Sequence, residues 1–132
     1  MKNSMIDLKK GTVKIADDLS ISPNYTFDEF KKTSFYNTQD GVRVIDLDNQ
    51  QFCIDGTNYL VSFFFRDNKI CVLSLLCCEE QYSEENEKER KKLHDVILKK
   101  YGVIGKKEFT WGRVSSDYDA RGNCSSINFL YF

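Results

Sequence analysis

The amino-acid sequence predicts an α+β fold: an antiparallel sheet of about five to seven strands, with one long and one short helix packed on one face. Apolar segments of strand length follow one another along the chain, separated by short polar turns. Only one segment, residues 83–100, has sustained helical periodicity. Strands that cluster in sequence are typical of antiparallel sheets. A chain of 132 residues suits a single domain, 1–132, that buries a core without metals or disulfides.

The amino-terminal part is expected to contain two short strands and a short helix. Residues 12–15 and 19–21 are apolar pieces on either side of a polar turn. Thr26 and Glu29 have the spacing of a capping box, in which Thr26 is the N-cap and Glu29 reaches back to its amide. The helix that they begin is expected to end near Lys32.

The middle of the chain predicts a long hairpin. Residues 59–65 and 69–77 are strands joined by a turn at Asp67 and Asn68. Both strands are apolar at alternate and at intervening positions, which is typical of strands that are central in a sheet or buried on both faces. Two shorter strands are expected before this hairpin, at residues 42–47 and 51–54.

A long helix is expected at residues 83–100. Ser83 is its predicted N-cap, and lysines at positions 99 and 100 suit the negative end of the helix dipole. Gly102 is well placed to end the helix. Its predicted apolar stripe consists of Leu93, Val96, Ile97 and Tyr101.

The carboxy-terminal third predicts a closing hairpin of two strands, residues 108–115 and 125–131. It contains Trp111, the only tryptophan. The segment between the two strands is polar and has the composition of a turn.

The composition indicates the cellular compartment and the classes of partner that the chain can bind. The formal net charge is −1, so general affinity for nucleic acid is not expected. The five cysteines are an odd number in largely apolar context, which favours a reducing, cytoplasmic compartment. The amino terminus has charges where a signal peptide needs apolar residues. The apolar stretch at residues 60–78 is interrupted by four polar residues, so no membrane span is expected.

A catalytic or metal-binding constellation is not evident in the sequence. His94 is the only histidine, and we expect it to be partly exposed on the long helix. Cys77 and Cys78 are adjacent on a strand, so their side chains point to opposite faces and do not suit one metal ion. Residues 46–57 lack the glycine and the final acid of a calcium loop. No metal or cofactor is therefore expected.

Two other functional classes remain open. An enzyme or small-ligand-binding protein would use Asp117, Asp119, Arg121 and His94 around a shared pocket, because paired carboxylates can serve as acid and base. A nucleic-acid-binding module would use a basic face, with Trp111 or Tyr101 stacking on bases. The residues of that face would be Arg90, Lys91, Lys92, Lys99, Lys100, Lys106 and Lys107.

A run of glutamates favours protein binding instead. An acidic face would steer and hold a basic partner protein, with exposed aromatic side chains as anchors. The predicted partner-binding residues are Glu79, Glu80, Glu84, Glu85, Glu87, Tyr82 and Tyr118. For each glutamate alone, a soluble and well-capped helix start is the simpler explanation.

The carboxy-terminal third resembles small bacterial proteins that share a tail of the form Trp-Gly-x-Val-x-Ser-x-Tyr-Asp-x-Arg, followed by a serine-bearing strand that ends in tyrosine. The residues that fit are Trp111, Gly112, Val114, Ser116, Tyr118, Asp119, Arg121, Ser126, Ile127 and Tyr131. The middle of the chain is also similar, at Gly56, Tyr59, residues 63–65, Tyr101 and Gly102. Proteins of this kind look like immunity proteins, the cytoplasmic partners that neutralise toxins, including those of contact-dependent inhibition.

The same tail also has a structural interpretation. Trp111 would share a strand face with Phe109, and Gly112 would allow a neighbouring strand to approach. Asp119 and Arg121 would bridge the turn, which Ser116 would cap. In that case the tail is a signature of the fold, and the binding surface lies elsewhere.

Together, these observations favour a non-enzymatic cytoplasmic binding protein. The resemblance implies an immunity protein that occludes a cognate bacterial toxin, and the acidic run indicates a basic toxin domain as the partner.

Overall fold

A computed structural model describes residues 4–40, 43–47, 50–78, 87–122 and 124–132. The elements follow the order β1, β2, β3, α1, β4, β5, β6, β7, α2, β8, β9, β10. Their bounds are β1 Ile6–Asp7, β2 Thr12–Ala16, β3 Leu19–Ile21, α1 Phe27–Phe30, β4 Ile45–Asp46, β5 Phe52–Ile54, β6 Thr57–Arg66, β7 Lys69–Cys77, α2 Glu87–Lys100, β8 Lys106–Phe109, β9 Gly112–Asp119 and β10 Cys124–Tyr131.

The main sheet has seven strands in the described part of the chain. Its order is β4-β6-β7-β10-β9-β8, and β5 pairs with β6 beside β4. All of its pairs are antiparallel. The α+β class and the antiparallel sheet predicted from the sequence are therefore confirmed.

The long hairpin is the centre of this sheet, as its apolar pattern predicts. Asp67 and Asn68 form the turn with φ of 51° and 69°, the positive values that a two-residue hairpin turn of type I′ requires. Buried and half-buried side chains alternate along β6. The strands are thus fully buried on one face only, which we call the inner face.

The short helix α1 begins as the capping box predicts, because Thr26 Oγ1 accepts a hydrogen bond from the Glu29 amide at 3.1 Å. The other half of the capping box differs from the prediction, because the Glu29 carboxylate accepts a hydrogen bond at 3.3 Å from the Thr26 hydroxyl and not from its backbone amide. The helix ends at Phe30, before the expected Lys32. Phe30 is fully buried and packs edge-on against Phe63 of β6, with ring centroids 5.2 Å apart. This contact places α1 on the inner face.

The long helix α2 packs on the same face, where it contacts β7, β9 and β10. Its predicted N-cap, Ser83, lies outside the described residues. Its end is as expected: Gly102 has φ of 87°, and the Val103 amide reaches back to the Leu98 carbonyl at 3.0 Å. This is the Schellman arrangement that satisfies the last carbonyls of a helix.

The first strands do not join the main sheet. β1, β2 and β3 form a separate three-stranded antiparallel sheet. The sequence predicts two of these strands but not their assembly, because pairing between distant strands leaves no local pattern.

The predicted strand at residues 108–115 is wrong in one respect. The chain turns at Thr110 and Trp111, so that two strands, β8 and β9, pair as a tight hairpin. The strand expected at residues 42–47 is shorter, Ile45–Asp46, and residues 41 and 42 lie outside the described part.

Candidate functional surface

The outer face of the main sheet is left uncovered by the described secondary structure. Side chains alternate across a sheet, and the described contacts of α1, α2 and the three-stranded sheet lie on the inner face. A solvated sheet face is normally polar. Here it includes five half-buried apolar side chains: Leu60, Phe64, Val72, Leu76 and Leu130.

These apolar side chains form two groups in register. Phe64 lies opposite Val72, which lies opposite Leu130. Leu60 lies opposite Leu76, four residues away along the hairpin. A β-bulge beside Phe64 leaves Cys71 and Val72 both half-buried at this end of β7. Apolar groups gathered on an open face favour a protein-binding role.

A line of polar side chains separates the two apolar groups. Asn128 lies at its centre and donates through Nδ2 to Asp117 Oδ2 at 2.7 Å. Its Oδ1 accepts hydrogen bonds from the hydroxyls of Ser74 at 2.6 Å and Ser126 at 3.2 Å. Ser115 Oγ donates to the same Asp117 oxygen at 2.6 Å. These bonds fix the rotamers, so the polar line is pre-organised.

This surface is not among the predictions from the sequence. Ser62, Ser74 and Asn128 lie in one row across three strands, but each is an isolated polar residue within an apolar run. The signal in the sequence is a single serine in each strand of the predicted hairpin, Ser62 and Ser74, which the β-bulge brings opposite one another.

Five of the seven predicted partner-binding residues lie outside the described residues: Glu79, Glu80, Tyr82, Glu84 and Glu85. Tyr118 is half-buried near the end of β9, where it pairs with Ser125.

Glu87 differs from the expectation of an exposed acidic residue. It is only 6% exposed. Its carboxylate accepts hydrogen bonds from the Ser125 amide at 3.0 Å and hydroxyl at 2.6 Å, and pairs with Arg90 at 3.3 Å. The spacing of Glu87, His94 and Leu98 places all three on the side of α2 that faces the sheet. Glu87 therefore anchors α2 rather than contributing to an acidic surface.

His94 is also buried, which corrects the expectation of a partly exposed side chain. It is 0% exposed, and its Nε2 accepts a hydrogen bond from the Cys77 amide at 3.0 Å. Burial, together with the nearby Arg90 guanidinium, lowers the pKa of His94 to about 4. The imidazole is thus neutral at pH 7 and serves the structure of the core.

The four residues of the enzymatic alternative do not converge. Asp117 bonds to Asn128 on the outer face, whereas His94 lies beneath α2 on the inner face. Asp119 Oδ1 accepts a hydrogen bond from the backbone amide of Arg121 at 3.0 Å, instead of the expected bridge to its guanidinium. The sheet lies between His94 and Asp117, so these residues do not share a pocket.

The distinctive tail residues make contacts within the fold. Trp111 stacks on Phe109 with ring centroids 5.3 Å apart, and its Nε1 donates to the Leu8 carbonyl at 2.7 Å. A Cβ on Gly112 would overlap the carbonyl oxygen of Leu130, so glycine permits the close approach that was expected. Ser116 does not cap a turn, because it is buried within β9.

The described residues also bear on membranes and metals. No helix among them has the length and apolar character needed to cross a bilayer. They contain no cluster of three histidine, cysteine or acidic side chains arranged to hold a metal ion. All five cysteines are described, and none is in a disulfide.

Comparison of the chain with protein-family models, with curated proteins and with solved structures found no match.

Proposed function

We propose that the chain is a non-enzymatic binding protein of the toxin-immunity type, which neutralises a cognate bacterial toxin by occluding it. The observation that carries this proposal is the outer face of the main sheet. Its two apolar groups, on either side of the fixed Asn128 line, combine an apolar contact area with polar positions that set orientation.

The mechanism is steric and electrostatic. The toxin would bury the apolar groups of the outer face, and the removal of apolar surface from water favours association. The acidic run begins directly after Cys78, at the end of the strand that carries Leu76. Its glutamates would accelerate the approach of a basic toxin domain. Such a protein would act in the cytoplasm, where its cysteines stay reduced.

The partner is identified first. The tagged chain is captured from its native lysate, and co-purifying proteins are identified by mass spectrometry. We expect a stoichiometric protein whose separate expression stops bacterial growth and whose toxicity is relieved by co-expression of this chain. Recovery of the chain alone, or of a harmless partner, contradicts the proposal.

The outer face is then tested by Leu60→Lys and Val72→Lys. Each places a charge among apolar groups that the toxin would bury, so each should raise the dissociation constant about tenfold or more. Ser20→Lys is the control, because Ser20 is an exposed residue of β3, in the three-stranded sheet away from the outer face. Circular dichroism checks that each variant folds. Unchanged affinity in both folded outer-face variants would remove this surface from the proposal.

The acidic run is tested separately by charge reversal. Glu84→Lys with Glu85→Lys should slow association, and the difference from the unmodified chain should shrink as salt is added, because exposed charges are screened. Stopped-flow association rates at low and high salt measure this effect. Equal rates at low salt would exclude the run as a steering surface.

A further inference from the structure

A second exposed apolar site lies on the opposite side of α2 from the sheet. Val96 is 52% and Ile104 is 85% exposed. Both line a depression of about 310 Å³ between α2 and the turn that leads to β8. Its other lining residues are Lys91, Asp95, Lys99 and Gly105.

The charge around this depression is positive. The Asp95 carboxylate is engaged by Lys91, whose Nζ lies 2.6 Å from Oδ1. Lys99 is exposed and has no ion-pair partner among the residues that the structure describes. An apolar centre beside an unneutralised cation complements a ligand that carries an apolar side chain and a carboxylate.

The fold accounts for the position of Lys99 but not for the exposure of Ile104. Lys99 suits the negative end of the α2 dipole, so its position needs no other role. Ile104 contributes little to the core at 85% exposure, and the glycines on either side of its turn adopt φ of 87° and 75°. These left-handed glycines hold the short turn in the conformation that displays Ile104.

We propose that this depression binds an acidic segment of a partner protein. An aliphatic or aromatic side chain of that segment packs on Val96 and Ile104, and an adjacent carboxylate pairs with Lys99. The site is separate from the outer face of the sheet and does not depend on the toxin-immunity proposal.

A protein segment fits better than a nucleic acid. Single-stranded nucleic acids bind to exposed aromatic side chains that stack on bases. Trp111 is 8% exposed, and the Tyr101 hydroxyl is held by Asp55 at 2.5 Å. None of the six residues that line the depression is aromatic.

The probe is a hexapeptide with Leu-Phe between two pairs of glutamates, titrated into the isotopically labelled chain and followed by NMR. The matched peptide has glutamines in place of the glutamates, and a third has serines in place of Leu-Phe. We expect shifts at Val96, Ile104 and Gly105 with the acidic peptide, and affinity at least threefold weaker with either control peptide.

Two variants locate the site. Ile104→Ser and Lys99→Glu should each weaken binding of the acidic peptide about tenfold, whereas Lys14→Glu, an exposed charge reversal on β2, should not. Three results would overturn the proposal: no shifts with millimolar peptide, shifts at other residues, or equal binding of the glutamine peptide. A generic DNA duplex that shifts the same resonances when the peptide does not would also overturn it, in favour of nucleic acid.

Discussion

At the scale of single residues, Trp111 explains why the tail has its distinctive composition. Its ring lies against Gly11, and its indole nitrogen bonds to the Leu8 carbonyl at 2.7 Å. The Tyr131 hydroxyl donates to the Gly11 carbonyl at 3.0 Å. Gly11 therefore meets two of the tail residues, and a side chain there would separate the three-stranded sheet from the main sheet.

We expect Gly11→Ala to lower the free energy of unfolding by about 3 kcal/mol, because it adds steric overlap to an unfavourable backbone conformation. Gly11 has φ of 71°, and a Cβ there would lie 2.5 Å from the Trp111 ring. Gly105→Ala is the matched control: φ is 75°, but nothing lies within 4 Å of its Cβ position. Urea denaturation measures both, and equal losses would show that backbone strain alone accounts for the effect.

At the scale of elements, α2 is attached to the sheet in two different ways. Its last turns are held by Ile97 and Leu98, which are buried apolar side chains. Its earlier turns are held by polar contacts, from Glu87 to Ser125 and from His94 to the Cys77 amide. The His94 contact depends on the protonation state of the imidazole, whereas the apolar contacts do not.

Acid should therefore weaken the attachment of α2. Because the pKa of His94 is lowered from 6.5 to about 4, the unfolded chain binds the extra proton first as the pH falls. The stability that the neutral His94 side chain contributes is fully present above about pH 6.5 and is lost as the pH falls towards 4. Between pH 7 and pH 5 the loss should be about 2 kcal/mol.

Urea denaturation across this pH range measures the loss. His94→Gln retains a side-chain acceptor for the Cys77 amide but does not titrate, so its stability should be nearly constant from pH 7 to pH 5. Should that variant fail to fold, NMR titration of the only imidazole gives the pKa directly. A value near 6.5, or the same loss in the glutamine variant, would contradict this account.

The elements also show what the sequence could predict. The hairpin turn at Asp67, the capping box at Thr26 and the helix end at Gly102 were predictable, because each is a local rule about backbone conformation. The burial of Glu87 and His94 was not, because polar residues become interior only when a distant strand supplies their partners. The candidate surface was missed for the same reason: its polar line assembles from three strands that meet only in the folded sheet.

At the scale of the whole molecule, the two sheets are joined by polar contacts around a shared core. Asp55, in the turn between β5 and β6, accepts hydrogen bonds from the Met5 amide and the Ser4 hydroxyl, each at 2.7 Å. Partial burial alone would raise the pKa of Asp55, but the hydrogen bonds from Tyr101, Met5 and Ser4 lower it below its usual value. The hydrogen bonds to the ionised Asp55 carboxylate therefore persist well below neutral pH.

Because these contacts and the core involve both sheets, we expect the two sheets to unfold together. Trp111 contacts Gly11 and the Leu8 carbonyl, so its fluorescence reports on docking of the three-stranded sheet. Far-UV circular dichroism reports on all secondary structure. In urea the two signals should give one midpoint, as two-state unfolding requires. Tyr131→Phe removes only the hydroxyl that donates to the Gly11 carbonyl. It should lower the free energy of unfolding by about 1 kcal/mol and shift both midpoints equally. A fluorescence change that precedes the dichroism change would mean that the three-stranded sheet separates first, and that the tail residues hold two units together rather than one cooperative fold.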